Sequence, residues 1–165
     1  MGIFEKEFEE LELDSVECAN CLRYIAATEF GLNLNMTQVQ KLLYMAYGLA
    51  LTSQHVQLTD ERPHAWPFGA IFPNVHKYTD FRYTPKKPDD DIPEEVVNLF
   101  RIILKKFGET NPAKLSAWAC NRDNRNPWIK ARPKFFWQKW GRQMSNTAIY
   151  YWFRSMKPKK PATRV

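Results

Sequence analysis

Thr37-Gln38-Val39-Gln40-Lys41-Leu42-Leu43-Tyr44-Met45-Ala46-Tyr47-Gly48 is the stretch that decides the fold. Thr37 followed three residues later by Gln40 has the form of a capping box, hydroxyl and amide each satisfying a helix-start N–H. Val39, Leu42, Leu43, Ala46, Leu49 and Ala50 recur at helical spacing, which predicts a helix from Thr37 to about Thr52 with one apolar face. Lys41 stands among them, so its stem can pack while its ammonium reaches a carbonyl or a buried acid. Further on, Gly69 supplies a turn where a side chain would clash. Pro73 suits the first turn of a following helix.

The same signals recur on both sides. Upstream, Asp14 with Glu17 predicts a helix start, and Gly31 a stop after Phe30. Residues 53–72 are polar and turn-rich, with Val56 to Leu58 a short strand at most, and Phe72 or Pro73 opens the next helix. Residues 84–93 form a linker loop of three prolines and a charge run. Helix 93–107 carries a stripe of Val96, Leu99, Phe100, Ile103, Leu104 and Phe107. Glu94 and Glu95 sit at its positive end, Lys105 and Lys106 at its negative end, and Gly108 as its stop. Short helices are predicted from Pro112 and Pro127. Ser145 caps a final helix with Ile149, Trp152 and Phe153 inward, while residues 133–144 suit either a helix or an aromatic-rich loop. The expected fold is all-α or mainly α, a compact single-domain bundle of six to eight helices, several short, joined by long loops. An acidic arm (1–13) precedes the helical domain (14–156), and a basic tail (157–165) follows it. The arm is either amphipathic or folds back on the basic C-terminal third.

Composition narrows the class. A chain of 165 residues with 44% hydrophobic and 15% aromatic content can bury a core and is far from the disordered class. It has no run of eighteen apolar residues and starts on an acidic segment, so a cytoplasmic protein with no membrane span and no secretory signal is expected. The net charge of +6 is unevenly spread. Residues 1–17 hold seven acidic groups and one Lys, whereas residues 122–165 hold twelve Lys or Arg against Asp123 alone. That basic third also carries Trp128, Trp137, Trp140 and Trp152. It fits a solvated face over an aromatic core, a docking surface for an acidic protein, or a track for a phosphate backbone with stacked bases.

Catalytic signals are sparse, and no enzymatic activity, metal or cofactor is expected. His55, His64 and His76 have no metal-ligand spacing. Asp89-Asp90-Asp91 lies in a proline-rich loop, where exposed carboxylates make poor general acids. No phosphate-cradling glycine loop or nucleophile elbow occurs, and His76 with Asp80 reads as a surface i, i+4 contact. Cys18 and Cys21, three apart on a helix, read as core residues, and an odd count of three cysteines argues against a disulfide framework.

Thr37, Gln40, Lys41, Leu42, Leu43 and Tyr44 begin a longer pattern. Ala65, Trp66, Gly69 and Pro73 follow, then Leu115, Ser116, Pro127, Trp128 and the helix from Asn146 to Phe153. In this order the set resembles the Panacea domain of SocA-like, phage-associated antitoxins over roughly residues 20–156. Ala70 and Ile71 replace that family's Pro-Val after the glycine, and Cys120 stands where it has a histidine. The resemblance implies neutralisation of a cognate toxin encoded next door by stoichiometric binding, with a proteolytic-adaptor mode delivering the toxin to a cytosolic protease. It also admits a phage or prophage accessory protein that inhibits a host factor. Candidate partner-binding residues are Trp66, Phe68, Phe72, His76, Trp128, Lys130, Arg132, Trp137 and Trp140. Trp66 and Trp128 suit the core as well as a partner. The alternative is nucleic-acid binding through the basic, Trp-rich region, with Lys130, Arg132, Lys134 and Lys139 on phosphates.

Overall fold

A computed structural model describes residues 5–88 and 92–156. The stretch from Thr37 to Gly48 lies in α2 (Met36–Gln54), the longest helix among the described residues. Its cap lies two residues upstream of the expected one. Asn35 accepts from the Gln38 N–H and the Gln38 side chain accepts from the Asn35 N–H, both at 2.9 Å. Asn caps at least as well as Thr, so the earlier site wins and Thr37 falls inside the first turn. Nor is α2 one-faced. Lys41, Tyr44, Tyr47 and Leu51 are buried alongside Val39, Leu42, Leu43 and Ala46, while Leu49 lies only partly inside. A helix buried on all sides is a central helix.

Before it, α1 (Ser15–Phe30) starts at Asp14, whose carboxylate accepts from the Val16 and Glu17 N–H groups, and ends at Gly31 with φ +65°. Cys18 and Cys21 are buried in its inward face. After it come α3 (Pro73–Tyr78), α4 (Glu94–Phe107), α5 (Pro112–Ala119), α6 (Pro127–Ala131) and α7 (Asn146–Ser155). Ser145 caps α7 through Ala148, as expected, and Ile149, Trp152 and Phe153 are buried. Phe153 lies against α2 where Gly48 leaves room: a Cβ there would stand 2.3 Å from its ring. Gly108 ends α4 at an ordinary φ of −58°, so its lack of a side chain serves packing, with Leu32 Cδ1 2.7 Å from where a Cβ would be.

Seven helices dominate the described residues, as a mainly α fold requires, and four strands in two small sheets correct the all-α form of that expectation. Residues 9–13 of the expected acidic arm form β1 (Glu9–Leu13), paired in parallel with β2 (Val56–Thr59). A register slip between Glu10 and Leu13 accompanies φ +54° at Glu12, the signature of a bulge. Phe8, Leu11 and Leu13 pack on the core, so these residues belong to the domain. The short strand expected at Val56 to Leu58 is β2, and β3 (His64–Trp66) and β4 (Gly69–Ile71) add a small hairpin where the turn-rich stretch predicted no further strand. Residues 133–144 form a loop, settling that open choice. Asp89 to Asp91 and the basic tail lie outside the described residues.

Candidate functional site

Two polar side chains of α2 hold the β3–β4 hairpin in place. Gln40 accepts from the Phe72 N–H at 2.8 Å and donates to the Phe72 carbonyl at 3.1 Å. Lys41 Nζ donates to the Ala70 carbonyl at 2.9 Å. Gln40 is therefore a backbone clamp, where the sequence reading gave it a capping role. Burial pushes the Lys41 amine down to about 8, with Cys120 opposing the shift. Gly69 has φ +117°, and a Cβ there would meet Ala119 Cβ at 2.7 Å and Lys41 Cε at 3.2 Å. The hairpin thus seats on α2 and α5 only because that position is glycine, and its turn presents Phe68 at 76% exposure.

The hairpin's other edge carries the loop of residues 132–144. The Ala65 N–H donates to the Arg142 carbonyl, the Gly141 N–H to the Ala65 carbonyl and the Met144 N–H to the Pro63 carbonyl, each at 2.9 Å. Below the loop, Trp128 Nε1 donates to the Trp66 carbonyl at 2.7 Å, and its ring stacks on Trp140 at 5.9 Å. The Arg132 guanidinium lies 5.7 Å from the Trp128 ring. A tight turn, with the Lys134 N–H on Gln138 Oε1 at 2.7 Å, then throws the intervening side chains outward. Phe136 is 98% exposed, Trp137 66% and Phe135 53%. Phe135 and Trp137 stack on each other at 4.6 Å, and Phe136 stands edge-on to Trp137.

The structure divides the nine candidate residues. Phe72 is fully buried against Tyr47, and Trp128 is buried beneath Trp140, so neither presents a surface to a partner. Their placement follows from chemistry: Phe72 precedes Pro73 at a helix start, and Trp128 needs a carbonyl for its indole N–H. Trp66 is half-buried, with His76 against its ring at 4.9 Å. Asp80 lies beyond the end of α3 and pairs with Arg82 at 2.9 Å, which replaces the expected His76–Asp80 contact. Phe68, His76, Lys130, Trp137 and Trp140 are exposed, and Arg132 is half-buried. Phe135 and Phe136 complete the aromatic cluster, although the candidate set omitted them. Their signal was a run of aromatics with no alternation, bracketed by Pro133 and Gly141, which no buried face explains.

Among the described residues, no group of three or more His, Cys, Asp and Glu is placed to hold a metal ion. No described helix is long and apolar enough to cross a membrane. No family model matches the chain, and no curated protein or solved structure matches it.

Proposed function

We propose that this chain is an antitoxin-like protein of the Panacea kind, acting in the cytoplasm by stoichiometric binding to a cognate toxin. The observation that carries the reading is the cluster of Phe135, Phe136 and Trp137, exposed on a loop whose two ends are fixed to the hairpin and to Trp128. Large aromatic groups left in water on a fixed base are what a binding hot spot requires, since little ordering remains to be done on association. Lys134 and Lys139 flank the cluster and favour a partner surface with acidic groups at its rim. Covering a toxin needs no catalytic residue. The sequence pattern from Thr37 to Phe153 supplies the family part of the proposal, and delivery to a protease remains a second mode of the same docking face.

The test is affinity isolation of the tagged protein from its native cells, with nuclease treatment and a high-salt wash. One stoichiometric partner, encoded next door and toxic when expressed alone, supports the reading. Phe136→Ala and Trp137→Ala should each weaken that complex by about 2 kcal/mol, roughly 30-fold. Undiminished binding in the double variant, or recovery of no partner, refutes it.

A further inference from the structure

Beside the aromatic loop, where α6 meets α7, lies a cavity of about 520 Å³. Pro127, Tyr151 and Trp152 give it flat apolar walls, and Arg125, Lys130 and Arg142 line it with positive charge. Arg142 and Ala131 also line a second cavity of about 230 Å³, which Arg132 and Lys139 border. Five cations from one segment thus edge two adjoining cavities. Arg125 pairs with Asp123 at 2.7 Å, while the other four form no salt bridge among the described residues. The larger cavity also holds one carboxylate, Glu5, hydrogen-bonded within its own lining. It accepts from Ser145 Oγ and from Thr147 Oγ1, both at 2.9 Å, across the start of α7.

We propose that these adjoining cavities form a groove for single-stranded nucleic acid, a site separate from the aromatic docking loop. Repeated cations along a concave path match the regular charge of a phosphodiester backbone. Tyr151, 53% exposed, offers the ring face on which a base can stack, while Trp152 is buried with the Arg125 guanidinium 6.0 Å from its ring. An acidic peptide would use the charges and leave the flat walls idle. A duplex keeps its bases stacked inside and cannot offer them to a cavity, so the geometry selects an open strand.

The experiment is fluorescence anisotropy with the full chain and labelled oligothymidine and oligouridine of about 16 nucleotides. Between about 50 and 200 mM salt, affinity should fall log-linearly with a slope of about −0.7 per phosphate neutralised, near −3 for four contacts. The double variant Lys130→Gln/Arg142→Gln alters exposed side chains, and thermal melting checks that it folds. It should bind roughly tenfold more weakly, with a slope shallower by about 1.4. Phe136→Ala should leave binding unchanged. Absence of binding at the lowest salt overturns the proposal, as does affinity indifferent to the double variant. Equal affinity for a duplex of the same length removes the single-strand assignment, and displacement by hexaglutamate at lower concentration than unlabelled oligothymidine reassigns the groove to a peptide.

Discussion

Replacing Gly69 by alanine tests whether the hairpin is seated as described. Two penalties combine at this position. The backbone lies at φ +117°, a region that side-chain-bearing residues rarely adopt, and holding one there costs about 1–3 kcal/mol. The new Cβ would also stand 2.7 Å from Ala119 Cβ, roughly 1 Å inside ordinary carbon–carbon contact at about 3.7 Å. Relieving that overlap means moving the hairpin off α5, an overpacking cost of about 1–3 kcal/mol. Gly141 separates the two contributions. It has φ +104°, but a Cβ there meets nothing within 4 Å, so Gly141→Ala carries the backbone cost alone. Urea denaturation followed by tryptophan fluorescence should show Gly69→Ala less stable than Gly141→Ala by about 2 kcal/mol. For a chain of this size the gap in Tm is roughly 4–8 °C. Ala119→Gly in the Gly69→Ala background should recover part of the loss, giving a coupling that Ala119→Gly alone cannot explain. Equal costs for the two glycine variants, with no coupling to Ala119, would refute the close-packed hairpin.

Lys41→Met probes the clamp by pH. The folded-state amine titrates near 8 and the unfolded one near 10.5, so above pH 8 the unfolded chain binds more protons and wild-type stability rises. Relative to Lys41→Met, it should gain about 1 kcal/mol per pH unit between pH 8 and 9.5, and a flat difference contradicts the buried amine. Asn146 joins Tyr47 OH (2.5 Å) to Gln57 Oε1 (2.8 Å) in the interior, so Asn146→Ala leaves Tyr47 OH without a partner and Gln57 Oε1 with Arg62 Nε alone at 3.3 Å. Urea titration should find a loss of about 1–3 kcal/mol. Cys18 and Cys21 are buried and Cys120 is half-exposed, so a thiol reagent should label one equivalent in the native protein and three in urea. Trp128→Ala should lower Tm through the lost stack and indole bond, where a surface role would leave Tm unchanged.

The helices were legible because their signals are local. Asp14, Gly31, Pro73, Pro112, Pro127 and Ser145 each mark an element boundary within about a residue, through capping or fixed φ, without reference to the rest of the chain. β1 was not legible. Glu-Glu-Leu-Glu-Leu is poor in strand formers, and its partner β2 lies beyond two helices. The hairpin strands, three residues each, are too short for alternation to register. Gln40 was misleading in a different way. It has the spacing of a capping residue, yet it is buried and the hairpin backbone supplies its partners, whereas Lys41 reaches the Ala70 carbonyl as its place among apolar residues implied. At the candidate site, composition identified a basic aromatic region but could not sort its members. Trp128 turned inward and Phe136 outward because of one indole hydrogen bond and one tight turn.

Contacts between the two ends of the described chain also bear on its synthesis. The Lys6 N–H donates to Thr147 Oγ1 at 2.7 Å, and Glu5 reaches Ser145, each across about 140 residues. A ribosome adding about 5–20 residues per second needs roughly 7–28 s to traverse that interval. Until α7 emerges, Gly48 lacks the ring that fills its notch and Phe8 lacks Tyr150. The nascent chain must therefore carry α2 with an open flank from the synthesis of Gln54 until α7 follows. Its final closure is coupled to delivery of the same helix that borders the basic cavity.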